Sequence, residues 1–310
     1  MPQEVLWTLP LVIERLPLVP QAVVEALLTG MSYALVAAGL ALIWGVVDIV
    51  NFAHGEYMMI AMFVTIYMTN TLGVDPLFAL PVNIVFLFVL GYLTYKFIIA
   101  KVMDAPMLAQ IFATFGLVLI IRYGMLFLMG SETKTVEQFM FSGSSVLFAG
   151  DTFGALSLII GHSALATAVI SVLSLGVLFV FMNRTKTGKA IRATSQDWEA
   201  ARVMGIDPDR VNAITWGVGL AMTGIAGTMV STFFPVQAEL TPVTWTLIAF
   251  ASVALGGFGS VLGAAFGGVG IALVEKLGTV LLNPSYKELY VFVVFIVALL
   301  LRSEGYLGGD

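Results

Sequence analysis

Nine long apolar runs, separated by short polar segments, constrain the fold of this chain more than any other feature of its sequence. The runs lie at about 22–47, 57–73, 77–100, 107–130, 164–182, 211–234, 244–256, 261–282 and 287–302. A helix crosses the hydrocarbon core of a bilayer, roughly 30 Å thick, with about 20 apolar residues. Most of these runs are long enough for one crossing. The pattern therefore predicts an all-α polytopic membrane protein, with a single domain over residues 1–310.

The small number of charged side chains leads to the same conclusion. Only 11% of the 310 residues are charged, and the mean hydropathy is +1.01. Water-soluble domains carry about 25% charged residues, so lipid must be the solvent for most of this surface. The first apolar run is longer than the roughly 7–15 apolar residues of a secretory leader. We therefore expect it to be retained as a membrane span.

Several kinds of site are excluded by residue counts. The chain has no cysteine, which excludes disulfides, thiolate metal sites and cysteine nucleophiles. His54 and His162 are its two histidines, and they do not form the closely spaced pair of a zinc site. No long run of Lys or Arg predicts binding to nucleic acid. Gly188 and Lys189 are followed by Ala190 and lack the rest of a nucleotide-binding Walker A motif.

The basic residues predict the orientation in the membrane. Six of the 14 Lys and Arg residues lie in residues 183–210, here called the basic loop: Arg184, Lys186, Lys189, Arg192, Arg202 and Arg210. Cytoplasmic loops are enriched in Lys and Arg, so we expect the basic loop to be cytoplasmic. The connections at 131–162 and 235–242 hold one basic residue between them and are expected to face outward. If every run crosses once, the N-terminus lies outside and the C-terminus inside.

The basic loop also predicts a short helix. Thr194 with Asp197 matches a capping box, and good helix formers follow up to Met204. Gly205 fits a C-terminal cap, and Asp207, followed by a proline, is a typical start for the helix of the next span. Two interpretations of the short helix are open. It rests on lipid headgroups, or it docks a cytoplasmic protein.

A polar segment separates the first two apolar runs and contains Asn51, His54 and Glu56. Polar groups at bilayer depth are costly, and they usually face protein or a water-filled cavity. Because Asn51 and His54 are three residues apart, we expect them to share a helical face. They belong either to a capped turn at the interface or to a substrate route.

A glycine cluster interrupts the second half of the chain. It contains Gly256, Gly257, Gly259, Gly263, Gly267, Gly268 and Gly270. The four-residue spacing of Gly259, Gly263 and Gly267 predicts one bare helix face against which a neighbouring helix packs closely. Irregular backbone at membrane depth requires protein or water beside it, so a second interpretation is that this backbone lines a translocation path.

Three further charges lie inside apolar runs, at Arg122, Glu275 and Lys276. The last two are adjacent and therefore point to different sides of a helix. Arg122 and Lys276 are expected to extend toward the membrane interface. For Glu275, a buried pair or a place on a transport path is the alternative.

Three segments carry a resemblance to a known family. They are GLALIWGVVDIVNFAHGEYMMIAMF (39–63), TKTGKAIRATSQDWEAARVMGI (185–206) and LGGFGSVLGAAFGGVGIALVEKLG (255–278). Within the second, Glu199, Ala200, Ala201 and, after three residues, Gly205 resemble the EAA loop by which ABC importer permeases contact their ATPases. Together the segments resemble the branched-chain amino acid permease family, of the LivH-like kind.

The resemblance implies the permease subunit of an ABC importer in a bacterial inner membrane. Such an importer contains a second, LivM-like permease, two cytoplasmic ATPases and a periplasmic solute-binding protein. ATP is used by the ATPases, and no cofactor or metal is bound by this non-catalytic chain. The family usually has about eight spans, so either the break at 48–56 lies within one bent element or the short run 244–256 folds back.

The resemblance also suggests roles for individual residues. The coupling residues that transmit ATPase movement are Asp197, Trp198, Glu199, Ala200, Ala201, Arg202 and Gly205. The expected translocation-path residues are Asn51, His54, Glu56, Gly256, Gly257, Gly259 and Glu275. The expected helix-packing glycines are Gly259, Gly263 and Gly267.

Two alternatives concern the transported substrate and the energy source. Permeases that resemble this family also serve urea, amides and small carboxylates. A stand-alone secondary transporter would use membrane-embedded carboxylates as ion couplers, and Glu25, Asp48, Glu56 and Glu275 are the candidates. That alternative leaves the organised basic loop unexplained. An intramembrane enzyme lacks a convincing nucleophile and base.

Overall fold

A computed structural model describes residues 15–148 and 158–303. Its helices are α1 (Val19–Val47), α2 (His54–Leu72), α3 (Pro76–Phe97), α4 (Met107–Met129), α5 (His162–Arg184), α6 (Lys186–Gln196), α7 (Trp198–Val203), α8 (Pro208–Val230), α9 (Thr241–Gly256), α10 (Val261–Leu281) and α11 (Lys287–Ser303). Short 3-10 helices cover Leu16–Leu18, Ile99–Lys101 and Pro284–Tyr286. An antiparallel hairpin pairs β1 (Ser144–Phe148) with β2 (Leu158–Gly161).

All nine apolar runs form helices, and the prediction of an all-α polytopic membrane protein is confirmed. Seven helical segments within the described ranges are long and apolar enough to cross a membrane. The two remaining runs form α2 and α9, and α9 has only 16 residues. The side of the fold that carries the basic loop is here called the loop face, and the side that carries β1 and β2 is called the hairpin face.

The chain reverses direction between α1 and α2. Gln21, near the start of α1, exchanges two hydrogen bonds of 2.9 Å with the backbone of Ile159 in β2, so α1 begins at the hairpin face. It ends at Val47, and the next residue, Asp48, has a left-handed φ of 55°. The next residues run back beside α1 until His54 Nε2 lies 3.0 Å from the carbonyl oxygen of Val36. At 1.5 Å per residue, Val36 lies about 16 Å before the end of α1. Helix α2 therefore begins at membrane depth.

Helix α9 begins beside the same point. The backbone N–H of Gly55 donates to Thr246 Oγ1 over 3.1 Å, which places the first turns of α9 against the first turn of α2. From there α2 runs toward the hairpin face, where Asn70 Nδ2 donates to the carbonyl of Thr135. Helix α9 runs toward the loop face and ends in the turn 257–260. Neither expectation for a reduced number of spans is correct: the chain reverses direction at 48–56 and does not bend within one element, and α9 continues to the loop face and does not fold back. Both α2 and α9 instead begin inside the membrane.

Helices α1 and α8 form the buried centre of the fold, and α3, α4, α5 and α11 lie at its outside with many exposed side chains. A buried amide links three of the helices. Asn83 Nδ2 on α3 donates to Thr65 Oγ1 on α2 over 2.9 Å and to Thr228 Oγ1 on α8 over 2.8 Å. Hydrogen bonds between polar side chains are a common link between helices in a membrane. The exposed surfaces of these outer helices are largely apolar and face lipid or a partner.

The basic loop folds into two helices, and the prediction of one helix over 195–204 is wrong. Thr185 accepts a hydrogen bond from the backbone of Gly188 over 3.0 Å and so caps α6, which begins nine residues earlier than predicted and contains Thr194. Asp197 is extended, and its side chain caps α7 instead. Several Thr and Asp residues in this segment can each cap a helix with the side chain. The sequence pattern does not show which of them is used, and Thr194 was the wrong choice.

The predicted end of this region is confirmed. Gly205 has a φ of 81°, a left-handed conformation that glycine adopts without strain. Asp207 then accepts hydrogen bonds from the backbone of Asp209 and Arg210 and caps α8. The break between α7 and α8 is therefore a defined turn that connects the loop face directly to a buried membrane helix.

Candidate functional site

Two polar contacts, His54 with Thr223 and Glu56 with Arg122, lie at the start of α2, and together with Asn51 we call these residues the central polar cluster. His54 is fully buried. Its Nε2 lies 3.0 Å from the Val36 carbonyl oxygen and 2.9 Å from Thr223 Oγ1 on α8. Because a carbonyl oxygen only accepts, Nε2 carries the proton. Helices α1, α2 and α8 are thereby joined at one buried point.

Asn51 occupies a different position from the one predicted. It lies in the irregular segment before α2, not on a helix, so Asn51 and His54 do not share a helical face. The helix begins without a side-chain cap, which makes the interpretation as a capped interfacial turn wrong. The Asn51 side chain is fully buried, and neither its amide oxygen nor its amide nitrogen has a hydrogen-bond partner among the described residues.

Glu56 forms an ion pair that the sequence analysis did not predict. Arg122 on α4 donates through both Nε, over 3.0 Å, and Nη2 to the same oxygen, Oε1 of Glu56. The expectation that Arg122 extends to the interface is therefore wrong. Its partner is 66 residues away in the chain and lies on another helix. The available signal was an acidic residue in the polar segment 48–56 and a basic residue inside an apolar run, but only the fold brings them together.

The glycine cluster provides close contacts among three helices. An added Cβ on Gly267 of α10 would lie 2.9 Å from the backbone nitrogen of Gly256 at the end of α9, and one on Gly268 would lie 2.7 Å from the Cα of Ala34 on α1. Gly263 also packs against Gly256. These contacts match the expected close approach of helices.

Gly259 does not belong to that helix face. It lies in the turn 257–260 with a φ of 78°, and Gly257 has a φ of 111°. An added Cβ on Gly45, near the end of α1, would lie 2.7 Å from the Cα of Gly259. The prediction that Gly259, Gly263 and Gly267 share one helical face is therefore wrong, because α10 begins at Val261. The turn instead holds the end of α9 against the end of α1.

Glu275 lies apart from the central polar cluster. Its Oε2 accepts a 2.5 Å hydrogen bond from the hydroxyl of Tyr33 on α1. The adjacent Lys276 Nζ is 3.8 Å from Glu25 Oε2 near the start of α1, in a half-exposed pair. Both contacts lie in the half of α10 that is nearer the hairpin face. The structure does not bring Glu275 together with Asn51, His54 or Glu56.

A polar cleft of about 1150 Å³ opens on the loop face. Its walls come from the end of α1, the start of α4, the junction of α6 and α7, the start of α8 and the turn 257–260. Five carboxylates and one guanidinium line it: Asp48, Asp104, Asp197, Asp207, Asp209 and Arg202. The cleft therefore lies between the basic loop and the loop-face ends of α1, α4 and α8.

The predicted coupling residues divide into an inner and an outer set. Ala201 is buried against its own chain. Trp198, Glu199, Ala200 and Arg202 are exposed.

An apolar patch at the end of α7 escaped the sequence analysis. Val203 and Met204 are 86% and 81% exposed although they lie in a loop full of charges. Exposed apolar patches on an aqueous surface are typical of protein interfaces. The available signal was two consecutive apolar residues just before a helix-ending glycine. Among the described residues, no cluster of three His, Asp or Glu side chains could hold a metal ion.

Comparison with known proteins gives a consistent result. A family model described as branched-chain amino acid transport system / permease component matches residues 22–299. The high-affinity branched-chain amino acid transport system permease protein LivH of Salmonella typhimurium is 27% identical, covering 90% of this chain and 92% of its own. BraD of Pseudomonas aeruginosa, with the same description, is 26% identical over 93% and 95%. The solved structure of PsaBC from Streptococcus pneumoniae in complex with Fab is 15% identical, with a TM-score of 0.46 and coverage of 88% and 89%.

Proposed function

Because this chain belongs to the family of branched-chain amino acid transport system permeases, we propose that it forms one half of the translocation path of an ATP-driven importer for branched-chain or related amino acids. A second, LivM-like permease forms the other half. Two cytoplasmic ATPases supply the energy, and a periplasmic solute-binding protein delivers the substrate. The chain itself binds no ATP. It is a multi-pass membrane protein, and its proposed location is the bacterial inner membrane.

The observation that carries the proposal is the pair of helices α2 and α9, which begin side by side at membrane depth and run in opposite directions. Discontinuous membrane helices of this kind surround the substrate sites of many transporters. Irregular backbone such as residues 48–53 persists at depth only beside protein or water. In the proposal, Asn51, His54 and Glu56 line the path at mid-depth.

The ends of the path lie at the two faces. Gly256 ends α9, Gly257 and Gly259 lie in the turn to α10 at the loop face, and Glu275 lies toward the hairpin face. Movement of the turn changes the packing of α9 and α10 against α1. Helices α9 and α10 contact each other through glycines, which have no side chains to interlock. Small shifts of one helix against the other are therefore sterically possible.

Coupling to the ATPases takes place on the loop face, which the basic residues assign to the cytoplasm. The exposed residues Trp198, Glu199, Ala200 and Arg202, together with Val203 and Met204, form the contact surface. Asp197 and Gly205 define the two ends of α7. ATP-driven closure of the ATPases moves α7, and the short turn to α8 transmits the movement to the buried centre of the fold.

Uptake by the reconstituted importer tests the proposal. Proteoliposomes that contain both permeases and both ATPases should take up labelled leucine only with the binding protein outside and ATP in the ATPase compartment. A non-hydrolysable ATP analogue should abolish uptake, since closure without hydrolysis does not return the importer to its starting state. Uptake by this chain alone, driven by a sodium or proton gradient without ATP, would show that it is a secondary transporter instead.

A further inference from the structure

Arg122 is a charged residue well inside a membrane helix. It lies about 22 Å from the start of α4 and about 10 Å from its end, at 1.5 Å per residue. Charged side chains at such positions are rare in membrane helices and usually mark a substrate or ion pathway. Lys276, by comparison, lies near the hairpin face and pairs with the half-exposed Glu25.

The ion pair with Glu56 leaves part of the guanidinium free. Both donors that Arg122 contributes, Nε and Nη2, reach the single oxygen Oε1 of Glu56. The second carboxylate oxygen, Oε2, is buried and has no partner in the part of the chain that the structure describes. A guanidinium has five N–H donors and binds carboxylates best through a two-pronged contact. Arg122 therefore retains donors for a second carboxylate.

The two partners are also exposed to different extents. The Glu56 side chain is 1% exposed, whereas the Arg122 side chain is 25% exposed. An exposed guanidinium at this depth is unfavourable against lipid acyl chains, so it is expected to face protein or water. Glu56 is therefore the buried partner of the pair, and Arg122 is the partner that remains accessible.

Helix α4 lies at the edge of the fold, where a route between two permeases would run. It is attached to α2 through the ion pair and to the irregular segment 48–53 through Thr114 Oγ1, which donates to the carbonyl of Val50 over 2.9 Å. The rest of its surface is largely exposed and apolar. The partly exposed Arg122 side chain therefore lies beside the start of α2, on a helix at the edge of the fold.

We propose that Arg122 binds the carboxylate of the transported amino acid on its way through the membrane, and that Glu56 is a positioning residue that fixes the guanidinium. This inference rests on the proposed function and narrows its substrate class to molecules that carry a carboxylate. A carboxylate that leaves water needs a cation and hydrogen-bond donors, and a guanidinium supplies both. Neutral substrates such as urea or simple amides have no need of this cation.

Paired substitutions in the reconstituted importer test the proposal. Arg122→Gln alone would leave Glu56 buried without a partner, so the informative variant is Glu56→Gln with Arg122→Gln, which removes both charges. We expect this variant to assemble with the ATPases and to take up labelled leucine about tenfold more slowly or worse, because a hydrogen-bonded cation is lost from the path. Arg122→Lys keeps the charge but not the two-pronged geometry, and its uptake should fall between the double variant and the wild type.

The matched control is Glu25→Gln with Lys276→Gln, which neutralises the half-exposed ion pair at the hairpin face and should leave uptake unchanged. Wild-type speed in the double variant at positions 56 and 122 would overturn the proposal and make the pair a structural link only. If that variant does not assemble, Arg122→Lys decides: uptake slower by about threefold or more supports the proposal, and wild-type uptake overturns it. Wild-type, ATP-dependent uptake in the same vesicles tests the proposed function separately.

Discussion

Replacing Gly267 or Gly268 with alanine is expected to destabilise the purified protein by about 1–3 kcal/mol, the usual cost of forcing an extra group into a packed interior. The added methyl group at Gly268 would lie 2.7 Å from the Cα of Ala34, and the one at Gly267 would lie 2.9 Å from the nitrogen of Gly256. Contacts this short are essentially absent from real proteins, and the neighbouring atoms belong to backbone that cannot rotate away. Helices α1, α9 and α10 must therefore separate.

The measurement is the thermal unfolding midpoint of each variant in the same detergent, together with uptake. The matched control is Gly176→Ala on α5, where an added Cβ meets nothing within 4 Å. This control should keep the wild-type midpoint or raise it, because alanine favours a helix by about 1 kcal/mol relative to glycine. Gly263→Leu, with a larger side chain at the same contact, should abolish transport. Equal unfolding midpoints for Gly267→Ala, Gly268→Ala and Gly176→Ala would show that the glycine contacts tolerate a methyl group. Helices α1, α9 and α10 would then not be closely packed there.

Replacing Met204 with glutamate is expected to weaken binding of the ATPase by about tenfold or more, as for other central interface residues. Met204 and Val203 are the most exposed apolar residues of the basic loop. A carboxylate at position 204 would have to lose its water at the interface without gaining a partner. Because the side chain does not contribute to the buried core, the permease should still fold and insert.

Co-purification of the ATPase with a tagged permease measures this effect. Met140→Glu is the matched control, since Met140 is 62% exposed but lies in the connection on the hairpin face, on the other side of the membrane. It should retain the ATPase. If Met204→Glu also retains the ATPase in full amount, the end of α7 is not the contact surface, and the coupling contact must lie elsewhere on the loop face.

The membrane helices could be predicted from the sequence because hydropathy reports directly on the solvent of each segment. All nine apolar runs became helices within a few residues of their expected ends. The roles of Gly205 and Asp207 at the helix ends were also predictable. A left-handed glycine and an N-terminal cap each affect only backbone groups within four residues of their own position. The resemblance to a permease family rested on three segments, and the family model extends it to residues 22–299.

Contacts between distant segments were not predictable in the same way. The depth at which α2 and α9 begin depends on how each packs against α1, and no local pattern encodes that position. The Glu56–Arg122 pair joins residues that are 66 positions apart. The sequence shows both charges but not their proximity, and extension to the interface was the locally simpler expectation for Arg122. Gly259 was assigned to a helix face by its spacing, whereas the capping of α10 by Ser260 places it outside.

The measurement that tests the central claim most directly is purification of the tagged chain from its native membrane, with identification of the proteins that accompany it. We predict recovery of a second permease and an ATPase with wild-type chain, and loss of the ATPase alone with Glu199→Lys, which reverses an exposed charge on α7. Recovery of the chain alone, with amino acid uptake that persists after ATP depletion while an ion gradient is held, would contradict the assignment as a subunit of an ATP-driven importer.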